Sequence, residues 1–291
     1  MESDSAEPIV RLALPKGHME DSVLRLLADA GIQVQVGQRE YRPRLSLPGV
    51  DTKVFRAQNI VEMLHLGSRD LGFSGADWVA ELGADLAMLL DTGLDPVRVV
   101  AASTLELFQA GLATQKRLVV ASEYESLTTA WIQKRGLNAV FVRSYGATEA
   151  FPPEDADCIV DNIATGSTLR ANGLQVVDVL MESSTRLYAN PRAMEDRVRR
   201  DWIEGFVLVV RAVLEARRRV MVEVNVSAEQ LEAVVAVLPC MRQPTVAPLH
   251  GNEGYAVKVA VLREVLPRLI PQIKARGGTD IVVYNLAQIV P

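Results

Sequence analysis

Asp157-Cys158-Ile159-Val160-Asp161-Asn162-Ile163-Ala164-Thr165-Gly166-Ser167-Thr168-Leu169-Arg170-Ala171-Asn172-Gly173 is the stretch that decides the fold. It begins as a short apolar strand, passes an acid and a turn of small hydroxyl residues, and then starts a helix. Backbone N–H groups converge at such a turn, and the helix end adds partial positive charge, so the geometry is that of an anion cradle. Gly166 lets the backbone approach a ligand closely, while Thr165, Ser167 and Thr168 supply hydroxyl donors. Asp161, at the carboxyl end of its strand, is placed to accept from two adjacent hydroxyls, as on a ribose ring. A diol acceptor beside a phosphate nest points to a ribose 5-phosphate. The same residues also read as an ordinary strand–turn–helix junction in which Thr165 or Ser167 is the N-cap.

Outward from this stretch the chain alternates strand and helix. Ile9 to Leu14 reads as a strand. A helix follows, capped by Asp21 or Ser22, with Val23, Leu24, Leu27 and Ala30 on one face and Gly31 as its stop. Leu71 to Phe73 reads as a strand between short helices at 59–66 and 77–82. Val97 to Ala102, Arg117 to Ala121, Val140 to Val142 and Cys158 to Val160 read as further strands, and Ser122-Glu123-Tyr124-Glu125 has the spacing of a capping box for a helix ending at Gly136. Such alternation predicts an α/β body with mainly parallel sheets and ligands at the carboxyl ends of the strands. Lys16 and Ser74 fall in a first βα set and the Thr165 turn in a second, so a cleft between two lobes is expected.

Asn190-Pro191 reads as an N-cap followed by proline at the first helical position, opening a long helix to about Arg218. Arg217, Arg218 and Arg219 at its end complement the helix dipole more readily than they form a nucleic-acid patch. Beyond it, Val220, Val222, Val224 and Val226 alternate along a strand. Ser227-Ala228-Glu229-Gln230 is a second capping box for a helix to Leu238, and two strands at 245–249 and 255–261 flank His250 to Gly254. A helix disturbed by Pro267 and Pro271 and a strand at Ile281 to Tyr284 complete the order βαββαβ. That order is a ferredoxin-like module of about seventy residues.

The run from Asp161 to Leu174 resembles the signature of the ATP phosphoribosyltransferases, the family that opens histidine biosynthesis. Leu14-Pro15-Lys16-Gly17, Asp70 to Asp77, Gly146-Ala147-Thr148-Glu149 and Pro244-Thr245-Val246-Ala247-Pro248-Leu249 resemble it in the same order. The resemblance therefore spans nearly the whole chain. It implies two catalytic lobes of the periplasmic-binding-protein kind, with the chain crossing between them twice, followed by a C-terminal regulatory domain: lobe I at 1–96 and 186–217, lobe II at 97–185, and the regulatory domain at 218–291. It also implies the reaction. N1 of the ATP adenine attacks C1 of phosphoribosyl pyrophosphate, pyrophosphate leaves, and Mg²⁺ and cationic side chains stabilise the departing charge. Such a pentosyl transfer needs no covalent enzyme intermediate, so no catalytic Ser, Cys or His is expected.

Carried over position by position, Asp161, Thr165, Gly166, Ser167 and Thr168 would hold the ribose phosphate. Lys16 and Gly17 would meet a phosphate chain, with Arg56 opposite. Glu149 would contact substrate or order its loop, and Ser74, Gly75 and Asp77 would line the first lobe; Asp77 reads equally as a helix cap. Asn225, Thr245 and Asp280 would meet histidine as a feedback inhibitor. The resemblance further implies a homo-oligomer, from dimer to hexamer. His18 stands where the family usually has Arg, and Gln58-Asn59 where it has an Arg-Asp pair, which places two charges in doubt near the nucleotide. A non-catalytic ligand-sensing paralogue and a solute-binding module are the competing readings.

Bulk properties agree with a soluble enzyme. The 291 residues are 49% hydrophobic, enough for two or three domains, and the net charge of −5 argues against nucleic acid as a partner. No apolar run is long enough to cross a membrane, and the polar, acidic start from Met1 to Pro8 is unlike a signal peptide, so a cytoplasmic location is expected. Cys158 and Cys240 lack metal-binding spacing and are expected to be reduced core thiols. The three histidines are too scattered for a zinc site.

Overall fold

The structure, a computed structural model, describes residues 9–35, 41–110, 112, 116–241 and 243–290. The acidic start, Met1 to Pro8, lies outside them. The described chain divides into two compact units. One holds the chain up to Gly205 apart from Asp29–Gly31; the other holds those three residues and Phe206 onward.

In chain order the first unit contains β1 (Val10–Pro15), α1 (Glu20–Asp29), β2 (Val34–Gln35), β3 (Arg44–Leu45), β4 (Val50–Phe55), α2 (Ala57–His65), β5 (Leu71–Gly75) and α3 (Ala76–Leu82). It continues with β6 (Ala87–Thr104), α4 (Leu105–Gln109), β7 (Leu118–Ser122), α5 (Glu125–Arg135), β8 (Ala139–Arg143), β9 (Cys158–Ile163), α6 (Ser167–Ala171), β10 (Leu174–Ala189) and α7 (Pro191–Glu195). The helix α8 (Arg197–Arg218) then runs on into the second unit.

Eight strands form one sheet in the order β4-β1-β5-β10-β6-β9-β7-β8. The outer trios are parallel, as the alternation predicts. The middle is not. β6 and β10 pair antiparallel from Ala87↔Ala189 to Thr104↔Leu174, and join their neighbours antiparallel as well. These are the two crossings between βα halves that the resemblance implies. The expectation of a mainly parallel sheet is thus corrected for its centre, because two long strands run there in opposite directions. Each looked shorter or absent in the sequence: Gly93, with φ of 65°, Asp95, with φ of 47°, and Pro96 interrupt the apolar run of β6, and bulges displace the alternation of β10.

Strands of the second half are covered on both faces. Val99, Ala101, Val120, Cys158 and Val160 pack on one side, and Val100, Ala102, Ala121 and Ile159 on the other. That is why they read as continuous apolar runs. Ser122-Glu123-Tyr124-Glu125 does not form its capping box. The Ser122 hydroxyl donates to the Val160 carbonyl at 2.6 Å and accepts from Tyr124 N at 2.9 Å, while Glu125 pairs with Arg143. Instead, Glu81 of α3 accepts from Ser126 N and Leu127 N, both at 3.0 Å, and caps α5 from another helix. Asn190 caps α7 as predicted, accepting from Arg192 N at 2.8 Å. The single long helix expected after it is broken at Asp196, whose carboxylate accepts from Arg199 N at 3.0 Å and starts α8.

The second unit adds β11 (Arg219–Val226), α9 (Leu231–Val235), β12 (Thr245–Pro248), β13 (Tyr255–Leu262), α10 (Leu266–Ala275) and β14 (Thr279–Asn285). Its antiparallel sheet has the order β12-β13-β11-β14, which is ferredoxin-like. Val220, Val222, Val224 and Val226 are all buried against the helices, each contributing about 1.5–3 kcal/mol relative to exposure. α10 takes Pro267 in its first turn and continues past Pro271. α9 is shorter than predicted at both ends: Ser227 and Gln230 hydrogen-bond to each other through their side chains before it starts, and beyond Val235 the chain continues to Leu238 in three-residue turns. At the end of α8, Arg219 pairs with Glu215 one turn away.

Candidate functional site

Among the described residues, three cavities that adjoin one another open on the first unit. The largest, about 470 Å³, is lined by Lys16, Gly17, His18, Arg56 and Gln58 from one half of the sheet, by Asp77 and Trp78 of α3, and by Asn162 of β9. A second, about 240 Å³, is formed by Glu149, Asp161 and the turn from Asn162 to Leu169. Asn162 is common to both. The third, about 450 Å³, lies on the crossing strands with Arg98, Glu182 and Arg186 in its wall, and shares Ala164 with the second.

Lys16 and Arg56 follow the carboxyl ends of adjacent parallel strands, since Pro15 of β1 pairs with Phe55 of β4. Both are exposed. The Lys16 ammonium stands 4.8 Å from the centre of the Tyr41 ring. Gly17, with φ of 90°, makes the turn that sets Lys16 at the mouth, and its amide donates to Glu20 at 3.2 Å.

In the second cavity Gly166 adopts φ of 70° and leads into α6, which has only five residues. So short a helix has a small dipole, and the anion-binding capacity rests on amides and hydroxyls. Thr165 Oγ1 and Ser167 Oγ are 3.0 Å apart, and Arg170 donates to the Thr165 carbonyl at 3.1 Å, which holds the turn in shape. Asp161 is half-buried and accepts from Asn162 N at 2.7 Å. Burial pushes its carboxyl up to about 6, with the charges of Glu149 and Glu123 acting the same way.

Ser74 and Asp77 are placed differently from a simple lining role. Ser74 is fully buried and donates to the Ala57 carbonyl at 3.2 Å, bracing the start of α2. Asp77 borders the large cavity with its carboxylate already engaged: Ser183 donates to Oδ1 and Tyr124 to Oδ2, both at 2.6 Å. It is not the cap of α3, since that position is Gly75, where a Cβ would come within 2.2 Å of Asp77 Oδ1. Residues the sequence reading passed over are Tyr124, Asn162, Ser183, Trp78 and Arg98. Only a tyrosine flanked by two acids hinted at the first.

In the second unit Asn225 Nδ2 donates to Asp280 Oδ2 at 3.1 Å, and Asp280 has φ of 46°. Thr245 is exposed on the edge strand β12, opposite Lys258 of β13, which pairs in turn with Glu223 of β11. It thus shares a sheet face with Asn225 but stands two strands away, about 10 Å. Asn225 and Asp280 are brought together; Thr245 is not brought to them. Cys158 and Cys240 are free thiols; Cys158 is in the core, whereas Cys240, expected there too, is only half-buried at its edge, and burial pushes Cys158 up to about 12. Among the described residues no cluster of three or more His, Cys, Asp or Glu could hold a metal, and no helix is long and apolar enough to cross a membrane.

The family model for HisG, ATP phosphoribosyltransferase, matches residues 56–212, and that for the HisG C-terminal domain matches residues 216–288. This chain belongs to the ATP phosphoribosyltransferase family. An ATP phosphoribosyltransferase of Chlorobium phaeovibrioides is 34% identical over 97% of this chain and 98% of its own length. One of Pelotomaculum thermopropionicum is 33% identical over 97% and 99%. Among solved structures, the ATP phosphoribosyl transferase (HisG:HisZ) complex from Thermotoga maritima aligns with a TM-score of 0.64 at 22% identity, over 71% of this chain and 98% of that one, and shares the fold. As a member of this family the chain is a transferase of the first step of histidine biosynthesis, joining ATP to phosphoribosyl pyrophosphate.

Proposed function

We propose that the small cavity seats phosphoribosyl pyrophosphate and the large one the nucleotide. The observation that carries this reading is that Glu149, Asp161 and the Thr165–Thr168 turn line one cavity, and that Asn162 connects it to the cavity holding Lys16 and Arg56. The 5-phosphate takes the amides and hydroxyls of the turn, and the ribose diol donates to Asp161. Lys16 and Arg56 meet phosphate oxygens and offset the charge that develops as pyrophosphate departs. Holding both substrates in adjoining cavities replaces a bimolecular encounter with an oriented one, which accounts for much of the rate.

Asp161 and Glu149 line the small cavity with two carboxylates, a donor set that fits Mg²⁺, and they are the residues that would hold it beside the substrate's pyrophosphate. When bound, that ion neutralises charge on the leaving group. The C-terminal unit takes histidine as a feedback inhibitor near Asn225 and Asp280, and the enzyme works in the cytoplasm as a homo-oligomer, from dimer to hexamer.

The test is to mix purified protein with ATP, phosphoribosyl pyrophosphate and Mg²⁺ and follow adduct absorbance. Turnover that requires all three, and that falls at least tenfold in Lys16→Ala and Arg56→Ala, is expected. Full activity in both variants would remove the cavity assignment.

A further inference from the structure

Asn162 stands in the wall between the two cavities, and its amide is not free to turn. Its Nδ2 donates to the Tyr124 hydroxyl at 2.7 Å, and that hydroxyl lies 2.6 Å from Asp77 Oδ2. The other oxygen of Asp77 takes the Ser183 hydroxyl at 2.6 Å, and Ser183 Oγ accepts the Asp77 amide at 3.1 Å. A carboxylate only accepts, so Tyr124 spends its single proton on Asp77 and must accept from Asn162. The direction of the whole relay follows. Nitrogen faces Tyr124, and the carbonyl oxygen of Asn162 has no hydrogen-bond partner among the described residues.

The relay is nearly dry except at this end: Tyr124 is 1%, Asp77 4% and Ser183 5% exposed, whereas Asn162 is exposed at the cavity. Buried, fully paired groups of this kind rigidify what they hold. Trp78 stacks on Tyr124, with ring centroids 4.6 Å apart and planes at 29°, and itself lines the large cavity. An aromatic wall beside an amide of fixed orientation is a combination suited to a purine, because an Asn amide pairs with the adenine edge through its amine.

We infer that Asn162 is a specificity-determining residue for the nucleotide: its Oδ1 accepts from the exocyclic amine of adenine, and Tyr124 is the positioning residue that keeps Oδ1 turned toward it. The inference rests on the assignment of the large cavity to the nucleotide. In the reaction the N1 lone pair forms the bond to C1, and the C1–O bond breaks with its electrons leaving on pyrophosphate. Positive charge acquired by the adenine ring spreads to the exocyclic amine and makes it a stronger donor. The contact therefore strengthens toward the transition state, which is the kind of interaction that raises kcat.

The experiment compares ATP with purine riboside triphosphate, which lacks the amine but keeps the N1 lone pair, by isothermal titration to the intact protein. The wild type is expected to bind ATP about tenfold more tightly. In Asn162→Ala the ratio falls to about one, while affinity for phosphoribosyl pyrophosphate stays within twofold. Tyr124→Phe keeps the ring on Trp78 and frees the amide to flip, so the ratio shrinks at an unchanged affinity for phosphoribosyl pyrophosphate; a merely structural role for the hydroxyl would lower both affinities together. Thermal unfolding confirms that each variant is folded. An unchanged ratio in Asn162→Ala, or a loss confined to phosphoribosyl pyrophosphate, overturns the inference. Loss of turnover in the wild type would instead overturn the proposed function, and the binding ratio decides the role of Asn162 either way.

Discussion

Asp161 carries the sharpest consequence at the scale of one residue. Its carboxyl, ordinarily near 3.8, is pushed up to about 6 in the fold. A folded value raised above the unfolded one means that the group's contribution to stability is complete below the unfolded value and is lost as pH rises through about 6. At pH 7 the buried charge costs about 2–3 kcal/mol. Asp161→Asn is therefore expected to raise stability by about 2 kcal/mol at pH 7 and by almost nothing at pH 4, as measured by urea unfolding at the two values. Function runs the other way. In the proposed site only the ionised carboxylate would accept from both ribose hydroxyls, so kcat/KM for phosphoribosyl pyrophosphate should fall below pH 6 with a limb that the Asn variant lacks. Thr168 is the second test at this scale. Its carbonyl is taken by Asn172 while its hydroxyl is left available for ligand, so Thr168→Ala should weaken phosphoribosyl pyrophosphate by about 1–3 kcal/mol in a titration and leave the unfolding midpoint unchanged.

At the scale of elements, Glu81 shows what a sequence conceals. It is buried and satisfies two first-turn amides of α5, a helix more than forty residues downstream. Glu81→Ala strands those donors and should lower stability by about 1–3 kcal/mol in chemical unfolding, whereas Ser122→Ala should leave the helix capped. The sequence placed a capping box at Ser122 because local spacing is all it can offer; the tertiary contact displaced it. The same distinction separates the elements that were legible from those that were not. β1, β7, β9 and β11 were readable because each is a compact apolar or alternating run with clear stops. β6 and β10 were not, because their faces change from half to half and Gly93, Asp95 and Pro96 break the pattern within a single strand. The turn at Thr165 was legible as local chemistry. The relay through Tyr124 was not, since its members come from α3, the N-terminal end of α5, β9 and β10 and meet only in the folded unit.

At the scale of the whole molecule, the proposed function puts substrate and effector in different compact units, so inhibition by histidine would appear as a coupling free energy rather than as competition for one pocket. Coupling is reciprocal. If histidine weakens phosphoribosyl pyrophosphate by some factor, phosphoribosyl pyrophosphate must weaken histidine by the same factor. Titrations of each ligand in the absence and presence of the other should give equal ratios, of the order of 5–150-fold for ordinary coupling. Asn225→Ala removes the hydrogen bond to Asp280 without touching the valine core on the other face of β11. It should weaken histidine by about tenfold, as a lost hydrogen bond of about 1.4 kcal/mol requires, and leave kcat without histidine unchanged. Unequal ratios would mean that histidine acts through a second site or through assembly, whereas equal ratios with an unaffected Asn225→Ala would keep the coupling and move the effector to the side of the sheet face where Thr245 lies.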